Sequence, residues 1–147
     1  MKKPREPGFP KGGAELKCRP LSAGRTLSLI RSALTPEARP AGLEPEALRG
    51  GHDPLVRSLP PWVERFGLLA GADRYCLWCR PRPGPTDAFP SQMVLDIPPG
   101  RFMVDILDAA TRTWISRESA EGGPLVAGLP YTGNAVIAWI RPIGADP

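Results

Sequence analysis

The 147-residue sequence predicts a mainly β protein. The expected fold is a small antiparallel β-sandwich of about six to eight strands, preceded by one or two short helices and a disordered basic N-terminal tail. Three observations carry this. Pro (20) and Gly (16) together approach a quarter of the chain, which disfavours long uninterrupted helices and demands frequent turns. From residue 73 onward the apolar residues recur with a period of two. Turn signals punctuate that region every 8–12 residues or so, the spacing of short antiparallel strands.

Residues 1–24 are rich in Pro, Gly and basic side chains, lack periodicity, and are expected to form the tail. Residues 25–69 form a lead-in of helix and loop. Within it Leu27, Ile30 and Leu34 make a short helical stripe that Pro36 ends. A second short helix is expected at 53–59, with Asp53 as N-cap and Pro54 at the first helical position. Leu55, Val56 and Leu59 would face inward, and Trp62 and Phe66 would pin the following turn to the body.

The sandwich is assigned to residues 70–142, with strands near 74–80, 92–97, 101–107, 112–118, 124–127 and 134–141. Six short strands with polar turns point to a β-sandwich or an open barrel. Pro99-Gly100, Glu121-Gly122-Gly123 and Tyr131-Thr132-Gly133-Asn134 supply tight turns. Asp108 opens another, because its carboxylate can accept backbone N–H groups as an Asx-turn.

The front half is basic. Residues 1–66 hold 12 Lys/Arg against 7 Asp/Glu, a net of +5, and the remainder holds 7 against 8, a net of −1. The arginines are scattered singly and not gathered on one face, which argues against nucleic-acid binding. The N-terminus begins like a signal peptide but no apolar segment follows, and no apolar run is long enough to span a bilayer. The expected localisation is therefore cytoplasmic, with no membrane partner. Three cysteines do not form a closed disulfide framework.

The segment Asp73-Arg-Tyr-Cys-Leu-Trp-Cys-Arg80 contains a C-x-x-C. Alternation on a strand sends Cys76 and Cys79 to opposite faces, so they cannot chelate one ion together. Pro81 and Pro83 forbid the helix that a thioredoxin-like motif needs. No metal and no cofactor are expected. Carboxylate pairs for acid–base catalysis reduce to Asp105 with Asp108, or Glu118 with Glu121. Asp108 is explained by its turn, and Asp105 is expected at a rim or on the solvent side. His52, the single histidine, lies in a loop without a nucleophile beside it, and no phosphate-binding glycine loop occurs.

The aromatic residues are more informative. Trp78, Trp114 and Trp139 each fall in an expected strand and Tyr131 in a turn. Trp139 alternates with Ala135 and Ile137 and reads as core. Trp78, Trp114 and Tyr131 are the candidate binding residues, since an aromatic shelf can stack on sugar rings; the competing reading is that they pack the sheet.

The stretch from Pro98 to Arg141 resembles the C-terminal β-sandwich appended to apiosidase-like barrel glycosidases, a module often labelled the collagen-binding domain of a collagenase. Pro98-Pro99-Gly100-Arg101-Phe102 matches its "PPG-[RK]-[YF]" turn. Asp108-Ala109-Ala110-Thr111-Arg112 matches its "D-P-R-T-G" turn with the proline and glycine replaced. Glu121-Gly122-Gly123 matches its glycine-rich turn, and Pro130-Tyr131-Thr132-Gly133-Asn134 matches "P-x-x-G-D" with Asn for Asp. Upstream, residues 52–62 and 68–78 are similar to the junction between barrel and sandwich, so the resemblance covers about residues 52–142. It implies a non-catalytic accessory module whose partner is a polysaccharide or matrix polymer. The alternative is a structural subunit docking onto a separately encoded glycosidase catalytic chain, or an orphaned fragment. The catalytic carboxylates of such enzymes lie on barrel strands, so none transfers to a position here.

Overall fold

A computed structural model describes residues 18–35, 37, 39, 40, 43–83 and 91–143. Helix α1 spans Ala23–Ala33. Ser22 caps it, its hydroxyl accepting from the Arg25 N–H at 3.2 Å. The stripe identified in the sequence faces inward: Ile30 and Leu34 are buried and Leu27 is partly so. Residues 1–17 of the expected tail lie outside the described residues, and residues 18–24 belong to the fold. Cys18 packs against the core, and Arg19–Pro20 (β1) pairs in parallel with a strand at Arg65–Phe66.

Eight further strands follow: β2 Val56–Ser58, β3 Val63–Ala70, β4 Tyr75–Pro81, β5 Gln92–Leu95, β6 Arg101–Asp108, β7 Thr113–Glu121, β8 Leu125–Gly128 and β9 Val136–Pro142. They form two sheets. The larger has the order β1-β3-β4-β9-β6-β7 and the smaller β2-β5-β8. Apart from the β1–β3 pair, all pairings are antiparallel. This is the small β-sandwich preceded by a helix that the sequence predicts. Each of the six expected strands is present, with ends displaced by a few residues.

The strand β3 lies inside the stretch read as lead-in. Residues Phe66–Ala70 are buried without alternation, because β3 is covered on both faces and its period-two signal disappears. The expected helix at 53–59 is instead a single 3₁₀ turn, Asp53–Leu55, running into β2. Asp53 does not cap it; its Oδ1 accepts from the Leu68 N–H of β3 at 3.1 Å. Leu55, Val56 and Leu59 do pack inward, and Trp62 and Phe66 are buried.

Alternation along the large sheet produces two cores. Leu68, Leu77, Ala138, Val104 and Ile106 face the small sheet, where they meet Met93, Leu95, Leu125 and Ala127. Leu69, Cys76, Trp78, Ile137, Trp139 and Leu107 face the other way, beneath α1 and the segment around Leu43 and Leu48. The two cysteines therefore fall in different cores, as a strand requires. The turns use the expected glycines: Gly100 (φ +148°), Gly123 (φ +81°) and Gly133 (φ +85°). Arg112 also takes positive φ (+57°), although it carries a side chain.

α1 seats on the sheet through one close approach. Thr26, 1% exposed, sits over Gly67 of β3. A Cβ at Gly67 would overlap Thr26 Oγ1 and lie 2.7 Å from its Cγ2 and 2.8 Å from its Cβ.

Candidate functional site

Cross-strand register arranges the outer face of the large sheet in rows. One row reads Gly67, Trp78, Ile137, Leu107, Trp114 across β3, β4, β9, β6 and β7. The next reads Leu69, Cys76, Trp139, Asp105, Arg117. Both rows begin beneath α1 and emerge from its cover at β7. Their outer ends, Trp114 and Asp105 with Arg117, line a groove of about 430 Å³ with Pro40, Ile115 and Ser116.

Asp105 is 4% exposed, not at the solvent rim expected from the sequence. Its neighbour in the row is Trp139, 1% exposed. A carboxylate so enclosed is costly unless paired, and two arginines pair it. Arg117 Nε donates to Oδ1 at 2.6 Å and Arg117 Nη2 to Oδ2 at 3.4 Å. Arg141 Nη2 donates to Oδ2 at 3.3 Å. The Asp105 carboxylate raises the pKa of Arg117 through its hydrogen bonds and its charge. Trp139 contributes about 4 kcal/mol or more of transfer free energy on burial. Among the described residues its Nε1 has no hydrogen-bond partner, and an unmade bond costs about 1–3 kcal/mol, so burial still wins.

Asp108 serves the turn, as its sequence context indicates. Its Oδ1 accepts from the N–H groups of Ala110 (3.0 Å) and Thr111 (3.1 Å), and both its oxygens accept from Asn134 Nδ2 at 3.3 Å. Burial pushes the Asp108 pKa up, but the bonds from Thr111, Asn134 and Ala110 outweigh it, and the net pKa is lowered. Glu118 and Glu121 are exposed on β7, and Glu118 Oε1 accepts from the Gly128 N–H at 3.4 Å. His52 precedes the 3₁₀ turn, apart from this groove's lining.

The three candidate binding residues separate. Trp114 is half-buried in the groove. Trp78 shares its row, but α1 covers that end; at 5% exposed it is a core residue and offers no face to a ligand. Tyr131 is 43% exposed and stands edge-on to Trp62, with ring centroids 5.4 Å apart. Trp62 leads into β3, four strand spacings or roughly 19 Å from β7. Sequence reasoning missed the buried Asp105 and its two arginines. Only the alternation of Asp105 with Met103 and Leu107 hinted at the shared face.

The thiols are enclosed. Burial pushes Cys76 up to about 12, and burial with the neighbouring Cys18 raises Cys79 well above its usual value. Burial, partly offset by Arg82, pushes Cys18 up to about 11. Cys18 lines a second cavity of about 400 Å³ beside β2, walled by Val56, Leu59, Pro60, Phe66 and Arg82. Arg57 and Ser58 also line it; Arg57 is paired with Asp96, and Arg82 donates to the Pro61 and Val63 carbonyls. Among the described residues no group of three or more His, Cys, Asp or Glu converges as a metal site. No helix among the described residues is long and apolar enough to cross a membrane.

No protein-family model matches the chain, and no curated protein sequence does.

Proposed function

We propose that the chain is a non-catalytic binding module for saccharide. One observation carries this reading: the half-buried Trp114 lines an open groove together with Asp105 and Arg117, and Asp105 is held in place by the guanidiniums of Arg117 and, from outside the lining, Arg141. Trp114 supplies an apolar ring face for a sugar's C–H surface. The Asp105–Arg117 pair supplies fixed hydrogen-bonding groups next to it, with rotamers already ordered before a ligand arrives. The turn resemblance to the glycosidase-appended sandwich supports the same reading. Arg112 stands where that family's turn has glycine, and its backbone keeps the positive φ that glycine would favour. The catalytic alternative has little support in the carboxylates described, since Asp105 and Asp108 are each engaged by several donors.

The test is affinity electrophoresis through gels containing neutral and acidic polysaccharides, with gelatin and a sugar-free gel as controls. Retardation by a polysaccharide, abolished by Trp114→Ala and retained by Tyr131→Ala, is expected. Uniform mobility in every gel would refute the reading.

A second reading, docking onto a glycosidase catalytic chain or another protein, rests on β7. This nine-residue strand ends the large sheet, and most of its side chains are exposed. Uniform mobility in the gels, with co-elution of a barrel chain encoded nearby, would favour it.

A further inference from the structure

We infer that the groove takes a carboxylate-bearing saccharide, a uronate and not a neutral sugar; this rests on the binding-module reading above. The inference comes from how Asp105 holds Arg117. A guanidinium carries five N–H donors in one plane. Asp105 engages Arg117 along its Nε–Nη2 edge, with bonds of 2.6 and 3.4 Å. Among the described residues Arg117 bonds nothing else, so its Nη1–Nη2 edge is left to the groove. That edge is the fork that receives a planar carboxylate through two parallel bonds.

The charge at the site agrees. Two arginines share the single carboxylate of Asp105, a net of +1. Glu118, next along β7, alternates to the other face and bonds the Gly128 N–H of the small sheet. Glu121 is at the far end of β7, opposite Arg101. The Arg117 side chain is 63% exposed while Asp105 is 6%, so a ligand reaches the arginine and not the acid beneath it. Trp114 lines the same groove and provides the stacking surface for the ring that carries the carboxylate.

The experiment measures gel retardation by polygalacturonate, dextran sulfate and neutral dextran. It compares the wild-type chain with Arg117→Lys, Arg117→Gln and Arg57→Gln. Arg57 pairs with Asp96 on the small sheet and lies outside the groove, so its variant controls for total charge. Arg117→Lys keeps the charge but removes the fork. The expected result is retardation by polygalacturonate above the other two polymers. It should weaken about tenfold or more in both Arg117 variants and stay unchanged in Arg57→Gln. Matching wild-type melting curves will show that the variants fold. Retardation by dextran alone would overturn the uronate assignment and leave the binding-module reading standing. Equal retardation by both polyanions, with Arg117→Lys like wild type or Arg57→Gln like Arg117→Gln, would also overturn it and reduce the effect to net charge. No retardation in any gel would remove both.

Discussion

Replacing Gly67 by alanine should lift α1 from the sheet. The strand cannot yield, because Phe66 and Leu68 are paired into β4 and Phe66 also pairs with β1. A new Cβ would overlap the Thr26 hydroxyl and lie 2.7–2.8 Å from two further Thr26 atoms, where about 3.5–4 Å is normal contact. Relief requires a shift of about 1 Å by the helix, loosening Ile30 and Leu34 in the outer core. Overpacking of this kind costs about 1–3 kcal/mol, sometimes more. Alanine in a strand recovers about 0.5–1 kcal/mol over glycine. The net expectation is a loss of about 1–2 kcal/mol, or roughly 3–8 °C in Tm for a domain of this size. Thr26→Ala alone removes a methyl and the hydroxyl bond to the Ser22 carbonyl (2.9 Å), at about 1 kcal/mol. In the double variant the Thr26 Cγ2 and Oγ1 clashes vanish, so the two changes should be non-additive by about 1 kcal/mol or more, with partial rescue. Denaturant melts of the four proteins give the cycle. A Gly67→Ala protein melting within about 2 °C of wild type, or an additive cycle, would refute the seating of Thr26 over Gly67.

Other consequences are checked more simply. Arg112→Gly should raise stability by up to about 1 kcal/mol, since the left-handed backbone costs a side-chain-bearing residue about 1–2 kcal/mol; what it forfeits is a 3.4 Å bond to the Ser32 carbonyl, and a lower Tm would refute the strain. Asp108→Ala should cost about 2–3 kcal/mol in urea melts by leaving turn donors unsatisfied. Because the folded-state pKa of Asp108 is lowered, its contribution is present above the ordinary value of 3.8 and is lost as pH falls through the folded value. Stability should therefore fall more steeply on the acid limb for wild type than for Asp108→Asn, and identical acid limbs would refute the linkage. With a thiol reagent at pH 8, native protein should show no fast-reacting cysteine and denatured protein three. Fast native labelling mapped to Cys76 or Cys79 would contradict their burial.

Strands with one buried face, or bracketed by clear turn signals as the doubly buried β4 and β9 are, were the legible part of the fold. β5 shows why: Met93 and Leu95 alternate with Gln92 and Val94, and the burial follows the letters. β3 was illegible for the opposite reason. Val63, Phe66, Leu68, Leu69 and Ala70 serve both cores, and Gly67, read locally, looks like a break when it is a notch for Thr26. The Asp53-Pro54 pair carried a helix-start signal, but a long-range partner, the Leu68 N–H, took the carboxylate. At the site, Trp114 could be picked from its residue type and strand position. Trp78 had the same credentials, and only the tertiary placement of α1 decided between them. The pairing of Asp105 with Arg117 and Arg141 depends on β6 lying between β7 and β9, an order that no local pattern encodes.

The division of one strand between two cores gives the chain an internal clock for its own opening. Cys76 is sealed by the helical layer and Cys79 by the small sheet, three residues apart on β4. If the helical layer departs first as a cooperative unit, Cys76 will take up label at denaturant concentrations where Cys79 is still protected. If the sandwich opens as a whole, the two will label together. Mass spectrometry of a single peptide therefore distinguishes a layered unfolding from an all-or-none one without any engineered probe.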